Sequence, residues 1–272
     1  MDRHRLSESA HAGLSLVNHD LVAWHCHFKV ELRKGDWSYR DILKGLAPKP
    51  FEVAEHSGNL LLTAGATALW NGLVTAGLAT PFNSTNAQIG VGDSVTASTA
   101  GMTDLQAALG TKLNASDVTT ASNTTPIVIA GTFSPVPAVG SVVACSGFTG
   151  AGAAAINGTF ELSAATAASL TLLNSAGSGA ITVTGAVIQP VNKYRQLVNG
   201  APIVTTNSVA FVAVFATGNA NYIWNEWGIA TGGAATNKQA VPPPTMLNRA
   251  VADLLTKTAS ASATATMTLS LA

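Results

Sequence analysis

The chain has 272 residues, enough for one large β-domain or two small ones, and its 14 basic and 14 acidic side chains give zero formal net charge. This balance argues against DNA or RNA as the principal partner, because nucleic-acid binders carry a basic excess that neutralises phosphates. Only 10% of the residues are charged, and no apolar run reaches the roughly 20 residues that cross a membrane. We therefore expect neither a nucleic-acid partner nor a membrane partner.

Charge is concentrated in residues 1–58, which hold 16 of the 28 charged side chains and all six histidines. Alternation over residues 21–30 predicts a strand, and Ser38 with Asp41 predicts the start of a short helix. The region has few apolar residues with which to build a core of its own. We interpret it as an extended arm that becomes ordered on binding a partner. The side chains expected to bind that partner are Trp24, Phe28, Trp37 and Phe51.

Residues 59–117 and 191–272 are predicted to form one discontinuous antiparallel β-sandwich with one or two short helices. A helix starting near Thr63 would direct an apolar stripe inward, and the last strand alternates threonine or serine with apolar residues over 264–271. Apolar and aromatic runs at 211–215 and 222–229 predict central strands. The predicted core side chains are Trp70, Phe211, Phe215, Trp224, Trp227 and Leu269.

Residues 118–190 differ from both flanking regions, because Glu161 is their only charged residue. Short apolar or threonine-rich runs alternate with Gly, Pro, Asn and Ser, a pattern typical of a small β-sandwich or barrel. Asn157-Gly158 is the strongest local signal for a tight hairpin. We interpret this stretch as a module inserted into a loop of the main domain, so the whole chain is mainly β.

Metal and redox sites are not indicated by the sequence. His25, Cys26 and His27 are consecutive, but alternation along a strand places Cys26 on the face opposite the two histidines. The two cysteines, Cys26 and Cys145, lie in segments of different character, so we expect both to be reduced. We predict no metal and no cofactor.

Catalysis is not indicated either, and we expect no enzymatic activity. Every histidine lies before the β modules, and the I-G-V-G-D run at 89–93 lacks the Lys-Ser/Thr of a phosphate loop. Glu226 between two tryptophans could be a sugar-cleaving acid, but a buried pair with Arg249 is the favoured interpretation. The aromatics Tyr194, Tyr222, Trp224 and Trp227 could stack on sugars, although a sandwich core is favoured for them.

The order of several short motifs resembles a family of tailed-phage virion proteins. These motifs are N-L-L-L at 59–62, L-W at 69–70, I-G-V-G-D-S at 89–94, W-N-E-W at 224–227, L-N-R at 247–249 and the terminal threonine-alternating strand. The inserted stretch is similar to small Ig-like sandwich modules of phage tail and capsid proteins, through residues 142–150, 156–160 and 169–172.

The resemblance implies a structural component of the virion, assembled in the cytoplasm of the bacterial host. Our leading hypothesis is a capsid decoration (cement) protein that binds the major capsid protein through the arm and forms a trimer or higher homo-oligomer. The alternative is a tail-side component: a fibre, a fibre adaptor or a head–tail joining protein near the portal. A host surface glycan stays open as a further partner.

Overall fold

The structure of the protein is a computed structural model that describes residues 24–58, 60–74, 81–107, 118–134, 136–137, 139–232 and 245–271. Its strands are β1 (Trp24–Lys34), β2 (Glu52–Ser57), β3 (Leu60–Leu61), β4 (Ala87–Gly92), β5 (Val118–Ala121), β6 (Val128–Gly131), β7 (Val142–Ser146), β8 (Gly158–Ala165), β9 (Ser169–Leu172), β10 (Val187–Val191), β11 (Lys193–Leu197), β12 (Ile203–Val204), β13 (Ser208–Phe215), β14 (Ile223–Thr231), β15 (Thr245–Met246), β16 (Asn248–Thr256) and β17 (Ala261–Leu271). Its helices are α1 (Tyr39–Leu43), α2 (Thr63–Val74) and α3 (Ala153–Ile156). The fold is mainly β and antiparallel, as predicted.

Two antiparallel sheets form the main sandwich. The first has the strand order β12-β13-β17-β1-β2, and the second has the order β11-β4-β14-β16-β3 with β15 added beside β14. Inward-facing side chains of both sheets meet in one core, where Phe28 stacks on Trp227 with ring centroids 4.7 Å apart. Five of the expected core residues are buried there: Phe211, Phe215, Trp224, Trp227 and Leu269.

The first sheet overturns the expected separation of an N-terminal arm from the sandwich. β1 lies between β17 and β2, and all eleven of its residues from Trp24 to Lys34 are in register with β17. Phe28 is therefore a core residue rather than a partner-binding one. The charged residues of β1 made this segment resemble a solvated arm, but they occupy only the outer face of the sheet. The part of the proposed arm before Trp24 lies outside the described residues.

Helix α2 forms where the apolar stripe predicted it, but its orientation differs from the prediction. Gly65 sits so close to the backbone of Leu247 that an added Cβ would collide with that carbonyl. Leu69 is half-buried against the main core, whereas Trp70 is 67% exposed, so its expected core position is wrong. The helix packs through its smallest residue because close backbone approach is possible only without a side chain.

The inserted module is a six-stranded antiparallel sheet, in the order β10-β7-β8-β9-β6-β5, around its own apolar core. β8 lies between β7 and β9 and so joins the two halves of this sheet. Its pairing with β9 shifts register between Leu162 and Ala164. Asn157 and Gly158 do not form the predicted tight hairpin. Asn157 follows α3 at the end of the longer β7–β8 connection, and Gly158 is the first residue of β8. The Asn157 side-chain amide is hydrogen-bonded to both backbone groups of Phe148.

Candidate functional site

The motif residues meet in a buried charged layer on the outer side of the second sheet. Glu226 of β14 and Arg249 of β16 are fully buried, and Arg249 Nε donates to Glu226 Oε2 at 2.7 Å. Gln106 N donates to the same oxygen at 2.9 Å. Arg249 Nη1 donates to Thr96 O at 2.9 Å, so the pair ties the sheet to the loop that follows β4. This is the pairing that the sequence favoured for Glu226.

The glycines of the I-G-V-G-D run make room for this layer. Ile89 and Val91 face the main core, whereas Gly90 and Gly92 face the loop after β4. A Cβ on Gly92 would overlap the carboxylate of Glu226, and one on Gly90 would press on Leu105. The two glycines are thus explained by close packing along a strand and not by a phosphate-binding turn.

A second group of charges fixes the far end of the same loop. Asp104 Oδ2 accepts a hydrogen bond from Lys193 Nζ at 2.8 Å, and its Oδ1 lies 3.3 Å from Arg195 Nη1. Both cations belong to β11, the edge strand next to β4. Residues 93–107, here called the covering loop, are therefore held against the second sheet from two sides.

A β-bulge explains how Trp224 and Trp227 can both enter the core while Glu226 faces the covering loop. Strict alternation would place residues 224 and 226 on one face, but the pairing of β14 with β16 changes register between them. Asn225, which lies at this change of register, donates from Nδ2 to Asp93 O at 3.2 Å. The W-N-E-W motif therefore supplies two tryptophan rings to the core and one carboxylate, that of Glu226, to the buried charged layer.

The electrostatics of this layer are those of a sealed structural element. Burial raises the pKa of Glu226, although the Gln106 amide and Arg249 act in the opposite direction. Burial also lowers the pKa of the Arg195 guanidinium, against the attraction of Asp104. Because the Glu226–Arg249 pair has no exposed surface, it has no open approach for a substrate to be protonated or attacked.

Neither cysteine is placed for chemistry. Both thiols are free and buried, and burial raises the pKa of Cys26 and of Cys145 to about 12. Protonated, enclosed thiols are poor nucleophiles and poor metal ligands. Asn248 approaches Cys26 Sγ at 3.5 Å with Nδ2, while its Oδ1 accepts a hydrogen bond from Ile229 N.

In β1, Cys26 lies on the face opposite His25 and His27, as the alternation predicted. Cys26 points into the core, His25 is exposed, and His27 Nε2 lies 3.5 Å from Glu55 Oε2 on the outer face. His56 instead sits edge-on to Trp227. Over the ranges that the structure describes, no group of three His, Cys, Asp or Glu side chains could hold a metal ion.

The aromatic cluster offers no platform for a sugar ring. Trp224 and Trp227 have no exposed surface, so the structure excludes them from stacking on an external ligand. Tyr194 and Tyr222 line a cleft of about 160 Å³ between the two modules, and the Tyr222 hydroxyl donates to Val91 O. That volume is below the roughly 300 Å³ at which ligand pockets begin.

Within residues 24–58, the described part of the expected arm, the segment between β1 and β2 is the part that leaves the sandwich. Near the start of this β1–β2 connection, residues 35–51, Asp36 Oδ1 accepts a hydrogen bond from Thr217 N at 3.1 Å. Ser38 and Asp41 form the predicted cap of α1 as a reciprocal capping box. Near the end of the connection, Pro48 O accepts a hydrogen bond from Arg33 Nε at 3.2 Å. The connection is thus attached to the sandwich near both of its ends.

Large apolar side chains of this connection and of the next strand remain in solvent. We call them the connection surface: Leu43, Leu46, Phe51 and Val53, with exposed fractions of 69%, 62%, 54% and 48%. Trp37 is half-buried, and its indole donates to Lys34 O at 2.7 Å. Of the four expected partner-binding residues, only Phe51 lies in the connection surface. The side chain of Trp24, at the start of β1, is outside the described residues.

From the sequence, Leu43 and Leu46 would lie on one face of the short helix that starts at Ser38, and no pattern distinguishes Val53. A helix of five residues is too short to bury such a face. It ends before the two prolines, at a Schellman turn in which Gly45 has a φ of 69°, Gly45 N donates to Ile42 O and Leu46 N donates to Asp41 O.

Comparisons with protein-family models, with curated proteins and with solved structures found no match for this chain. Within the described ranges, no helix is both long enough and apolar enough to cross a bilayer.

Proposed function

We propose that this chain is a non-enzymatic structural protein of a tailed-phage particle, with capsid decoration as its leading role. Its action would be to bury surface against neighbouring subunits and so to stabilise the shell. The proposal originates in the order of the sequence motifs, which resembles phage virion proteins. It is supported by the way in which the folded chain uses the residues of those motifs.

One observation carries the proposal: the charged residues of the motifs are buried in the fold and pair with each other. Glu226 and Arg249 are fully buried against each other. A glycine is needed at position 92, because the Glu226 carboxylate occupies the space in which a Cβ would lie. A family defined by such residues would share a scaffold and not a reaction, because these groups cannot reach a substrate. A scaffold without chemistry is what a particle component needs.

The surface chemistry also suits a protein that works among close neighbours. Only 10% of the residues are charged, and threonine and serine line the outer side of β17. The Thr264 hydroxyl accepts a hydrogen bond from Arg33 Nη1 at 3.1 Å on that face. Such a weakly charged surface can be covered at little desolvation cost.

Decoration is favoured over a tail-side role because the chain has no internal repeat and no extended stalk pattern, both of which are usual in fibres. The deciding measurement is the copy number in purified particles, by quantitative mass spectrometry against the major capsid protein. We expect about one copy per capsid subunit, or a simple fraction of that ratio. About a dozen copies or fewer would move the protein to the tail, and absence from particles would end the virion proposal.

A further inference from the structure

We propose that Lys257 and Asn221 become joined by an isopeptide bond between the lysine Nζ and the asparagine Cγ. The bond forms within one folded chain and releases one molecule of ammonia. The proposal goes beyond the proposed function and is independent of it, because the chemistry requires only the fold of this chain. It assigns a site of self-modification to one end of the second sheet.

The two side chains meet where β14 begins and β16 ends. These strands pair as far as Ile223 and Thr256, and one residue further on Lys257 N donates to Tyr222 O at 3.1 Å. Lys257 Nζ lies 2.7 Å from Asn221 Oδ1. Since a carbonyl bond is about 1.2 Å long, the carboxamide carbon lies within about 4 Å of Nζ. This range is close to the separation of about 3–3.5 Å from which bond formation starts.

A backbone carbonyl holds both nitrogens that take part in the reaction. Thr217 O accepts a hydrogen bond from Asn221 Nδ2 at 2.8 Å, and Lys257 Nζ lies 3.4 Å from the same oxygen. Because its Nδ2 is held there, the Asn221 carboxamide keeps its Oδ1 turned toward the amine. Asp36 Oδ1 accepts a hydrogen bond from Thr217 N at 3.1 Å, so Asp36 is a positioning residue for this carbonyl.

Lys257 is a buried amine whose neighbours do not neutralise a charge. It is 1% exposed, and within the described ranges it forms no ion pair. Both of its hydrogen-bond acceptors, Asn221 Oδ1 and Thr217 O, are uncharged. Burial lowers the pKa of this amine to about 8, against the attraction of Asp36, so some nucleophilic neutral amine is present near neutral pH. An amide bond at Nζ would remove the buried charge altogether.

The reaction exchanges one amine for another on the carboxamide carbon. The neutral Nζ of Lys257 attacks Cγ of Asn221, so the Nζ–Cγ bond forms and the carbonyl electron pair moves onto Oδ1. A proton passes from Nζ to Nδ2 through solvent in the cleft that Asn221 lines. The electron pair returns from Oδ1, the Cγ–Nδ2 bond breaks, and Nδ2 leaves as ammonia. The step consumes no oxidant, reductant or second substrate.

The bond would tie together the two strands that carry the buried charged layer. It links the start of β14 to the end of β16, and these strands supply Glu226 and Arg249. The link closes a loop from residue 221 to residue 257 and so restricts the unfolded chain. The two strands could then not separate completely even when the rest of the sandwich opens.

The first test is the intact mass of the purified full-length chain, measured by mass spectrometry after denaturation. We expect a mass lower by one ammonia than the sequence requires, and no such loss in Lys257→Arg. This variant keeps every asparagine, so an ammonia loss that persists in it would come from cyclisation of another asparagine and would overturn the proposal. The matched control is Lys193→Arg, which removes another largely buried lysine, 14% exposed, and should retain the loss.

Digestion with trypsin locates the bond. We expect one joined product that combines residues 196–238 with residues 250–272, because trypsin does not cleave after a lysine whose amine is acylated. If the folded protein keeps its full mass after prolonged incubation and this product is absent, the contact is an ordinary hydrogen bond and the proposal is wrong.

A pair of variants examines the positioning role of Asp36. Asp36→Ala removes the acceptor of Thr217 N, so the fraction of linked chains after a fixed incubation should fall several-fold. Asp36→Asn keeps an oxygen acceptor and should restore that fraction, and thermal unfolding shows that both variants are folded. Equal fractions in the wild-type protein and Asp36→Ala would refute the positioning role. A loss in Asp36→Asn as large as in Asp36→Ala would also refute it, because the charge and not the hydrogen bond would then matter.

Discussion

The main sandwich and the inserted module differ in the kinds of side chain that they bury. The core of the inserted module is apolar, and its one buried polar side chain among the described residues is Ser175. The main sandwich adds to its aromatic core a layer with fully buried Glu226 and Arg249 and nearly buried Asp104 and Arg195. All of these charges lie between the second sheet and the covering loop.

This difference shows what the buried charges are for. The inserted module is closed by its own sheet and needs no further cover. The main sandwich must hold an irregular loop over a sheet face that carries Gly90 and Gly92, where apolar side chains are missing. Paired charges with fixed directions hold such a loop in one position, whereas apolar contacts would allow it to slide.

The two regions can be followed separately, because all five tryptophans lie outside residues 118–190. Tryptophan fluorescence therefore reports on the main sandwich alone. Far-UV circular dichroism reports on both regions. A substitution that disturbs only one region should move only the corresponding transition.

The largest effect is expected for Arg249→Met, which leaves the Glu226 carboxylate buried without its cation. Removing one partner of a buried ion pair costs about 3–5 kcal/mol of unfolding free energy. Urea unfolding followed by tryptophan fluorescence should show a transition at much lower urea concentration. Adding Glu226→Gln to this variant should restore part of the loss, and a double variant no more stable than Arg249→Met would contradict the pairing.

The reciprocal control lies in the inserted module. The Ser175 hydroxyl donates to Leu172 O and accepts from Ile127 N. Ser175→Ala therefore removes the hydroxyl partner of the buried Ile127 N and leaves Leu172 O with the 3.4 Å bond from the backbone N of residue 175. A loss of about 1–3 kcal/mol should appear by circular dichroism, with the tryptophan transition unmoved. Movement of both signals together would mean that the two regions unfold as one unit.

A loss of similar size is expected for Gly92→Ala, which forces a methyl group onto the Glu226 carboxylate. Overpacking of this kind costs about 1–3 kcal/mol. The matched control is Gly101→Ala, since an added Cβ there meets nothing within 4 Å. Thermal unfolding followed by tryptophan fluorescence should separate the two variants, and equal stability would disprove the role assigned to the glycine motif.

The smallest effect, and the one of opposite sign, is expected at Lys257 as long as its amine is free. This buried amine donates to Asn221 Oδ1 at 2.7 Å, and burial lowers its pKa from 10.5 to about 8 in spite of the attraction of Asp36. Between pH 8 and 10.5 the unfolded chain binds more protons than the folded one, so stability should rise with pH across that window. Below pH 8 the full penalty for burying the charge applies.

Relative to the chain with a free amine, Lys257→Met should therefore raise the unfolding free energy at pH 7 by about 1–2 kcal/mol, because it removes the penalty together with the hydrogen bonds to Asn221 Oδ1 and Thr217 O. Melting temperatures measured from pH 7 to 10.5 should rise in wild-type protein of full mass, in which the amine is free, relative to the variant. A variant that is less stable at pH 7 would show that the contact with Asn221 outweighs the buried charge.

Local patterns were sufficient for several elements. The alternation at 264–271 predicted β17, and Ser38 with Asp41 predicted the cap of α1. The composition of residues 118–190 predicted a separate β module, and the structure ends that module at Val191. These features follow from residues close together in the chain, so periodicity and capping rules describe them.

The positions of other residues depended on partners far away in the sequence. The apolar stripe of α2 gave no sign that Gly65, through its approach to Leu247, would become the contact and leave Trp70 in solvent. The alternation in β14 could not reveal the bulge that places Trp224 and Trp227 on one side. The connection surface was missed in part, because exposure depends on what fails to cover a side chain.

By itself, the sequence determined that the chain is mainly β, that its middle is a separate module and that Glu226 pairs with Arg249. Only the tertiary structure decided that β1 joins the sandwich. The charges of β1 resemble those of a solvated arm, but they occupy one face of a strand whose other face carries Cys26, Phe28, Val30 and Leu32. Pairing with β17, more than 200 residues later in the chain, buries that apolar face, and no local pattern encodes a partner at that distance.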